Sequence, residues 1–312
     1  MSGKAMTKID LITGFLGAGK TTFIRLYVKH LLAQGLRVCI LENDYGAVNV
    51  DMMLLTDLGC DIEMVAGGCD YDCHKRRFRT KLIAMGMLGY DRVIVEPSGI
   101  FDVDEFFDAL QEEPLDRWYE AGHVIAIVDA RLPEALSEDS EYLLASEIAD
   151  SGLVVFSHAK EGSLDQISAV LDHINRSLTA VSCRRKLSEK DILVRPWDAL
   201  SEEDWSRIDR SEYRLSDHIK KQVMEKNDYE TIYFMNHKIG LSDLESGIRT
   251  LFFDPRYGNV LRVKGFLPQE NGWLEVNATR DQIDVKPISE GQEIFIVIGE
   301  ELNEPLIRQV FA

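Results

Sequence analysis

At 312 residues the chain is long enough for about two domains of roughly 100–200 residues each, which excludes a small scaffold held together by disulfides or a metal. Hydrophobic residues make up 45% and charged residues 28%, with 8 Pro and 22 Gly, a balance that excludes wholesale disorder. With 35 Lys+Arg against 53 Asp+Glu the net charge is −18, a sign that repels phosphate backbones and anionic lipid, so neither nucleic acid nor a membrane is expected as a partner.

The longest apolar runs, such as 124–128, fall far short of the roughly 20 residues that cross a bilayer, and the opening MSGKAMTKID has no apolar secretory core. A cytoplasmic location is expected, where the five cysteines would stay reduced as ligands or buried apolar residues.

In chain order, the pattern predicts a strand over 8–13 and a helix over 21–34, with Ile24, Tyr27, Val28 and Leu31 at helical spacing. Further strands are predicted at 38–41, 91–96, 123–129, 153–157 and 192–194, separated by helical stretches, as in β-α units around a parallel sheet. Residues 199–227 turn charged and weakly periodic, with Trp197 and Trp205 as apolar anchors, which suggests a helical connector. Beyond it come a strand at 231–235, a helix at 241–253, strands near 260–267, 272–278, 282–287 and 293–299, and a closing helix. The expected division is therefore 1–198, a connector at 199–229, and a small α+β domain with a mostly antiparallel sheet at 230–312.

Gly14-Phe15-Leu16-Gly17-Ala18-Gly19-Lys20-Thr21 fits Gly-x4-Gly-Lys-Ser/Thr between a predicted strand and a predicted helix. Such a loop lets backbone N–H groups, here Gly14, Gly17, Ala18, Gly19 and on to Thr22, close around phosphates. Lys20 would reach the β/γ oxygens and the Thr21 hydroxyl would ligate Mg²⁺. A dinucleotide loop carries no Lys-Thr pair, so NAD is not expected. The expected fold class is α/β, a P-loop NTPase with a mostly parallel sheet flanked by helices, plus the small C-terminal α+β domain. The apolar run 93–95 ends in Glu96, which would hold Mg²⁺ through water, and Gly99, three residues on, could sense the γ-phosphate.

Four pieces in order, GFLGAGKTT at 14–22, LENDYGAVNVD at 41–51, EPSG at 96–99, and RVKGF with IFIVIG at 262–266 and 294–299, together resemble the CobW-like GTPases. These are a branch of the metallochaperone GTPases that includes the hydrogenase and urease nickel-insertion proteins. The resemblance covers nearly the whole chain, and its last pieces resemble the small C-terminal domain of that family. It implies a first switch at 42–46, with Glu42 as a metal ligand and Asp44 polarising the attacking water or contacting Mg²⁺, and it makes Lys20, Asp44 and Glu96 the catalytic set.

Two departures from the family pattern stand out. Where the family carries Cys-x-Cys-Cys after a Gly, this chain has Gly67-Gly68-Cys69-Asp70-Tyr71-Asp72-Cys73-His74. Cys69, Cys73 and His74, with Asp70, Asp72 or Glu42, would make a mixed donor set for Zn²⁺, Co²⁺ or Fe²⁺. The alternatives are a reduced loop without metal, or thiols that ligate a cluster or cofactor of a client. Where relatives read guanine with Asn-Lys-x-Asp, the strand runs into Ser157-His158-Ala159-Lys160, and Lys160 cannot accept the guanine hydrogens. Either Asp165 or the Arg195-Pro196-Trp197 turn substitutes, or the site is relaxed toward ATP; Ser157, His158, Pro196 and Trp197 are the base-side candidates.

Residues 74–81 pack five Lys/Arg into an acidic chain, either as an exposed helix face or as a patch for an acidic client or an extra phosphate. The resemblance thus implies a nucleotide-switched GTP hydrolase that delivers a metal or cofactor to a client metalloenzyme or corrinoid (cobalamin) protein. Because no arginine finger can be named, a partner or a second subunit in a homodimer would complete the catalytic geometry. The alternatives are an ATP-driven chaperone or reactivator of a corrinoid or metal enzyme, and a small-molecule P-loop kinase.

Overall fold

The computed structural model describes residues 6–15, 17–44, 55–66, 71–97, 103–159, 164–218, 229–235, 239–269, 272–280, 282–288 and 291–311. The chain divides into two compact units, Met1–Gln222 and Val223–Ala312, whereas composition placed the start of a connector at 199.

In the first unit, β1 (Thr7–Thr13), β2 (Val38–Asp44), β3 (Asp61–Ala66), β4 (Arg92–Pro97), β5 (Tyr119–Asp129), β6 (Leu153–Ser157) and β7 (Ile192–Val194) form one sheet in the order β3-β2-β4-β1-β5-β6-β7. Every pairing in it is parallel. Its helices are α1 (Lys20–Ala33), α2 (Tyr71–Leu88), α3 (Val103–Gln111), α4 (Glu138–Ala149), α5 (Leu164–Ala180) and α6 (Glu202–Ile208).

The central strands read as continuous apolar runs because both faces of the sheet are covered. Alternate residues go to opposite sides: Ile9, Leu11, Cys39, Leu41, Val93 and Val95 pack with Phe78, Leu82 and Met85 of α2 and Phe106 of α3. Ile12, Ile40, Ile94, Ile125 and Ile127 pack with Phe23, Ile24, Tyr27, Val28 and Leu31 of α1. Since β1 lies between β4 and β5, the turn leaving its carboxyl end opens where the strand order changes direction, the crevice in which such sheets hold ligands.

Two differences from the sequence reading concern this sheet. β3 was not predicted, because an edge strand with one neighbour alternates charged and apolar residues, here Asp61, Ile62, Glu63 and Met64, and lacks an apolar run. β2 extends to Asp44, past the expected end at 41, because it is paired in register on both sides, by β3 and by β4. Glu42 is therefore a strand residue and not part of a loop.

Towards the end of the first unit, α6 is capped by Ser201 and Asp204 in a reciprocal box. Trp205 stacks on His30 of α1 with ring centroids 4.3 Å apart, which keeps this charged stretch on the first unit.

The second unit has β8 (Tyr229–Met235), β9 (Asn259–Gln269), β10 (Gly272–Ala278), β11 (Ile283–Ile288) and β12 (Ile294–Glu300) in the antiparallel order β11-β10-β9-β12-β8. α7 (Leu241–Phe253) and α8 (Glu304–Val310) cover one face: Leu244, Ile248, Leu251 and Ile307 pack with Val263, Val276, Phe295 and Val297. Among the described residues no helix is long and apolar enough to cross a membrane.

Candidate functional site

The turn between β1 and α1 carries the glycines where backbone geometry demands them. Gly14 has φ 140°, and a Cβ there would stand 2.2 Å from the backbone oxygen of Ile127 on β5. Gly19 caps α1 at φ 101°, and a Cβ there would meet the Trp197 indole at 3.0 Å. Both positions exclude other residues on steric grounds. Lys20, the first residue of α1, is buried, and its Nζ donates to the Gly14 carbonyl at 2.7 Å. The ammonium thus lies across the turn it would serve.

One residue on, Thr21 Oγ1 donates to Glu96 Oε1 at 2.8 Å. Glu96 is the next-to-last residue of β4, and its register partner on β2 is Glu42. Paired positions in a sheet share a face, so the two side chains lie on one side of it, at 5% and 2% exposure. The Glu96 carboxylate and the Thr21 hydroxyl, hydrogen-bonded to each other, are hard oxygen donors of the kind that suits Mg²⁺. These residues fit the ion that the phosphate loop implies.

The other wall comes from the ends of β5 and β6. Asp129 is held by Arg131, whose Nη2 and Nε donate at 2.8 and 3.0 Å, and by His158 Nδ1 at 3.0 Å. Burial pushes the Asp129 carboxyl up, but the hydrogen bonds from His158 and Arg131 outweigh it and hold the group at about 2. It is therefore ionised at neutral pH. Trp197 Nε1 donates to the Phe156 carbonyl at 3.1 Å, and its ring meets Phe23 edge-on at 5.7 Å.

The fold therefore brings Gly14, Gly17, Ala18, Gly19, Lys20, Thr21, Glu42, Glu96, Ser157, His158, Pro196 and Trp197 to the carboxyl end of the sheet. Asp165 is exposed in the first turn of α5. Gly99, Cys69, the stretch 45–51 and Lys160 lie outside the described residues, as do the side chains of Asp44, Asp72 and His74. Cys73 and His74 belong to α2 and not to a Gly-rich loop: the helix starts at Tyr71, and its apolar stripe begins within it at Phe78, Leu82 and Met85. Among the described residues no group of three or more His, Cys, Asp or Glu is placed to hold a metal ion. The sequence reading did not single out Asp129 and Arg131; an acid at the carboxyl end of an apolar strand, two residues before an Arg, was the available signal.

Comparison with known proteins supplies the family. Residues 8–188 match the model of the CobW/HypB/UreG nucleotide-binding domain. The chain is similar to the zinc chaperone YeiR of Escherichia coli (strain K12), 34% identical over 131 residues, which is 41% of this chain and 39% of that protein. It is also similar to the zinc chaperone YjiA of the same strain, 33% identical over 134 residues, 39% of this chain and 40% of that one. The match thus spans about two fifths of the length of these curated relatives. A longer likeness, 23% identical over 92% of this chain and 79% of the relative, is to the zinc-regulated GTPase metalloprotein activator 1 of Schizosaccharomyces pombe (strain 972 / ATCC 24843). Among solved structures, Zn(II)-bound YjiA GTPase from E. coli is similar at 18% identity and a TM-score of 0.32, covering 98% of both chains. With the family model matched over more than half its length, and with the phosphate loop in place between β1 and α1, the chain belongs to the CobW/HypB/UreG family.

Proposed function

We propose that this protein is a nucleotide-switched metallochaperone that binds and hydrolyses GTP and couples the phosphate state to a metal site serving a client metalloprotein. The observation that carries the reading is the register of Glu42 against Glu96, with the Thr21 hydroxyl on Glu96. It puts the glutamate assigned to the cargo metal and the glutamate assigned to the nucleotide's cation on neighbouring strands.

In this mechanism Lys20 exchanges the Gly14 carbonyl for the β/γ oxygens of GTP, and the loop amides from Gly14 to Thr22 hold the phosphates. Mg²⁺, when bound, supplies charge neutralisation at the departing phosphate. Thr21 and, through water, Glu96 would hold the ion, Asp44 would position the attacking water, and the Gly99 N–H would report on the γ-phosphate. Glu42, Cys69, Cys73 and His74 hold the cargo. Zinc is the favoured cargo, because the curated relatives are named zinc chaperones. Ser157, His158, Pro196 and Trp197 form the base side, and the second unit takes the place of the family's C-terminal domain.

Coupling follows from electrostatics: a cation at Glu96 changes the field at Glu42, so cargo affinity differs between nucleotide states. The sequence Ser157-His158-Ala159-Lys160 favours a second reading for the base alone, in which ATP is accepted as well.

Calorimetric titration of GTP and ATP with Mg²⁺, each with and without Zn²⁺, tests both points. The expected result is a purine triphosphate bound at micromolar level and a Zn²⁺ affinity that differs about tenfold or more between nucleotide-free and triphosphate-bound protein. Equal Zn²⁺ affinity in the two states overturns the switch, because a ligand without differential affinity shifts no equilibrium.

A further inference from the structure

A groove of about 390 Å³ runs between α2 and α3. Lys75, Arg76 and Arg79 line it from α2, and Ala109 and Glu112 line it from the end of α3 and the turn that follows. Positions 75 and 76 each neighbour 79 on the helix surface, four and three residues before it. Arg79 is fixed there: its Nη2 donates to the Glu113 carbonyl at 2.6 Å, and its Nε lies 3.1 Å from Glu112 Oε2. Arg76 is exposed and Lys75 half-buried. Among the described residues, three cationic side chains and one carboxylate line it, in a chain whose net charge is −18.

That contrast defines the partner. A protein of this charge repels an acidic molecule at long range and attracts it only where the local sign is reversed. A long polyanion such as a nucleic acid extends past the groove and meets the repelling remainder, whereas a short acidic segment meets the groove alone. The volume suits a few side chains, and Ala109 gives their methylenes an apolar floor. Among the described residues, none of the five that line it is aromatic.

We propose that this groove docks an acidic polypeptide segment, a short run of Asp and Glu side chains on the client protein. α2 begins at Tyr71 and carries Cys73 two residues before Lys75, so a docked segment would lie beside the first turn that bears the assigned cargo donors. The role in metal transfer rests on the chaperone reading; the binding itself does not.

Fluorescence anisotropy of a labelled glutamate-rich peptide, titrated with the full chain, tests it. Wild type should bind this peptide and not a glutamine-rich peptide of the same length, and the affinity should fall as salt shortens the screening length from about 10 Å at 0.1 M. Lys75→Glu combined with Arg76→Glu should weaken binding about tenfold or more and leave GTP binding by calorimetry unchanged, whereas Lys75→Arg should retain the affinity. If the charge-reversed variant fails to fold by circular dichroism, Lys75→Gln with Arg76→Gln replaces it with the same expectation. Salt-independent or absent binding by wild type, equal affinity in the variants, or tighter binding to oligothymidylate or to phosphatidylserine vesicles overturns the proposal. A Zn²⁺ affinity indifferent to nucleotide would remove the chaperone reading and leave the peptide result standing.

Discussion

Two buried acidic clusters sit on the same sheet of the first unit, and they are built on opposite terms. In the body of the sheet, Asp10 of β1 is fully buried and accepts from Arg92 Nη1 at 2.6 Å, Tyr27 Oη at 2.9 Å and the His123 N–H at 2.7 Å. Burial, and then the Asp10 carboxylate, hold the Tyr27 phenol well above its ordinary value, so it remains a donor. At the carboxyl end, Glu42 and Glu96 are register partners on β2 and β4, both buried. Opposite charges with good hydrogen bonds complete the first cluster inside the fold. The second is a pair of buried acidic side chains on neighbouring strands whose oxygens a divalent cation would engage. The first arrangement stabilises the sheet from within, and the second presents oxygen donors to a bound ion.

If that distinction holds, removing the cation of the first cluster should cost more than any change at the second. Arg92→Leu leaves Asp10 buried beside no guanidinium and should lower stability by about 3–5 kcal/mol, read from denaturant midpoints; a loss under about 1 kcal/mol would show that the pair is not what holds Asp10. Next comes Lys20→Ala, expected to reduce GTP hydrolysis by roughly two to three orders of magnitude in a labelled-phosphate assay. Its folding stability should move by no more than about 1 kcal/mol. Glu96→Gln removes the carboxylate that Thr21 touches: the Mg²⁺ concentration needed for half-maximal hydrolysis should rise about 10–100-fold, while folding stability moves by no more than about 1 kcal/mol. An unchanged Mg²⁺ requirement would dissolve the contrast between the clusters.

Legibility in the sequence follows how local each feature is. The phosphate loop was readable because Gly14, Gly19, Lys20 and Thr21 act within one strand-turn-helix segment. β1, β2 and β4–β7 were readable as apolar runs, because burial on both faces leaves little polar alternation, and the second unit's strands were read at 231–235, 260–267, 272–278, 282–287 and 293–299. β3 was not, since its charged residues stand at a sheet edge. The side-by-side placement of Glu42 and Glu96 is a matter of inter-strand register, which residues distant in sequence set together. The same holds for Trp197 lying on Gly19 and for Arg131 and His158 converging on Asp129. That Cys73 belongs to a helix depends on where α2 finds its apolar partners, which the cysteine spacing does not encode.

The smallest expected effect probes a third buried acid, Asp150, at the end of α4. Its Oδ1 accepts the Ser216 N–H at 2.7 Å, and its neighbours include Asp104, Arg185 and His218. Burial pushes its carboxyl up; the Ser216 hydrogen bond and the charges of His218 and Arg185 pull it down, Asp104 pushes it up again, and it stands at about 6. Above its unfolded value of 3.8, the folded protein therefore binds a proton that the unfolded chain has released. The associated stabilisation is complete below 3.8 and is lost as pH rises through about 6. Asp150→Asn keeps an oxygen for Ser216 but cannot ionise. The full linkage would be about 3 kcal/mol, which solvent screening reduces to about 1 kcal/mol; stability of wild type relative to this variant should thus fall by that amount between roughly pH 4 and pH 7 and then level off, as urea midpoints across that range would record. The opposite slope would mean that Arg185 and His218 hold Asp150 ionised, which would make it a second example of the Asp10 arrangement and not a carboxyl kept neutral for want of a dominant cation.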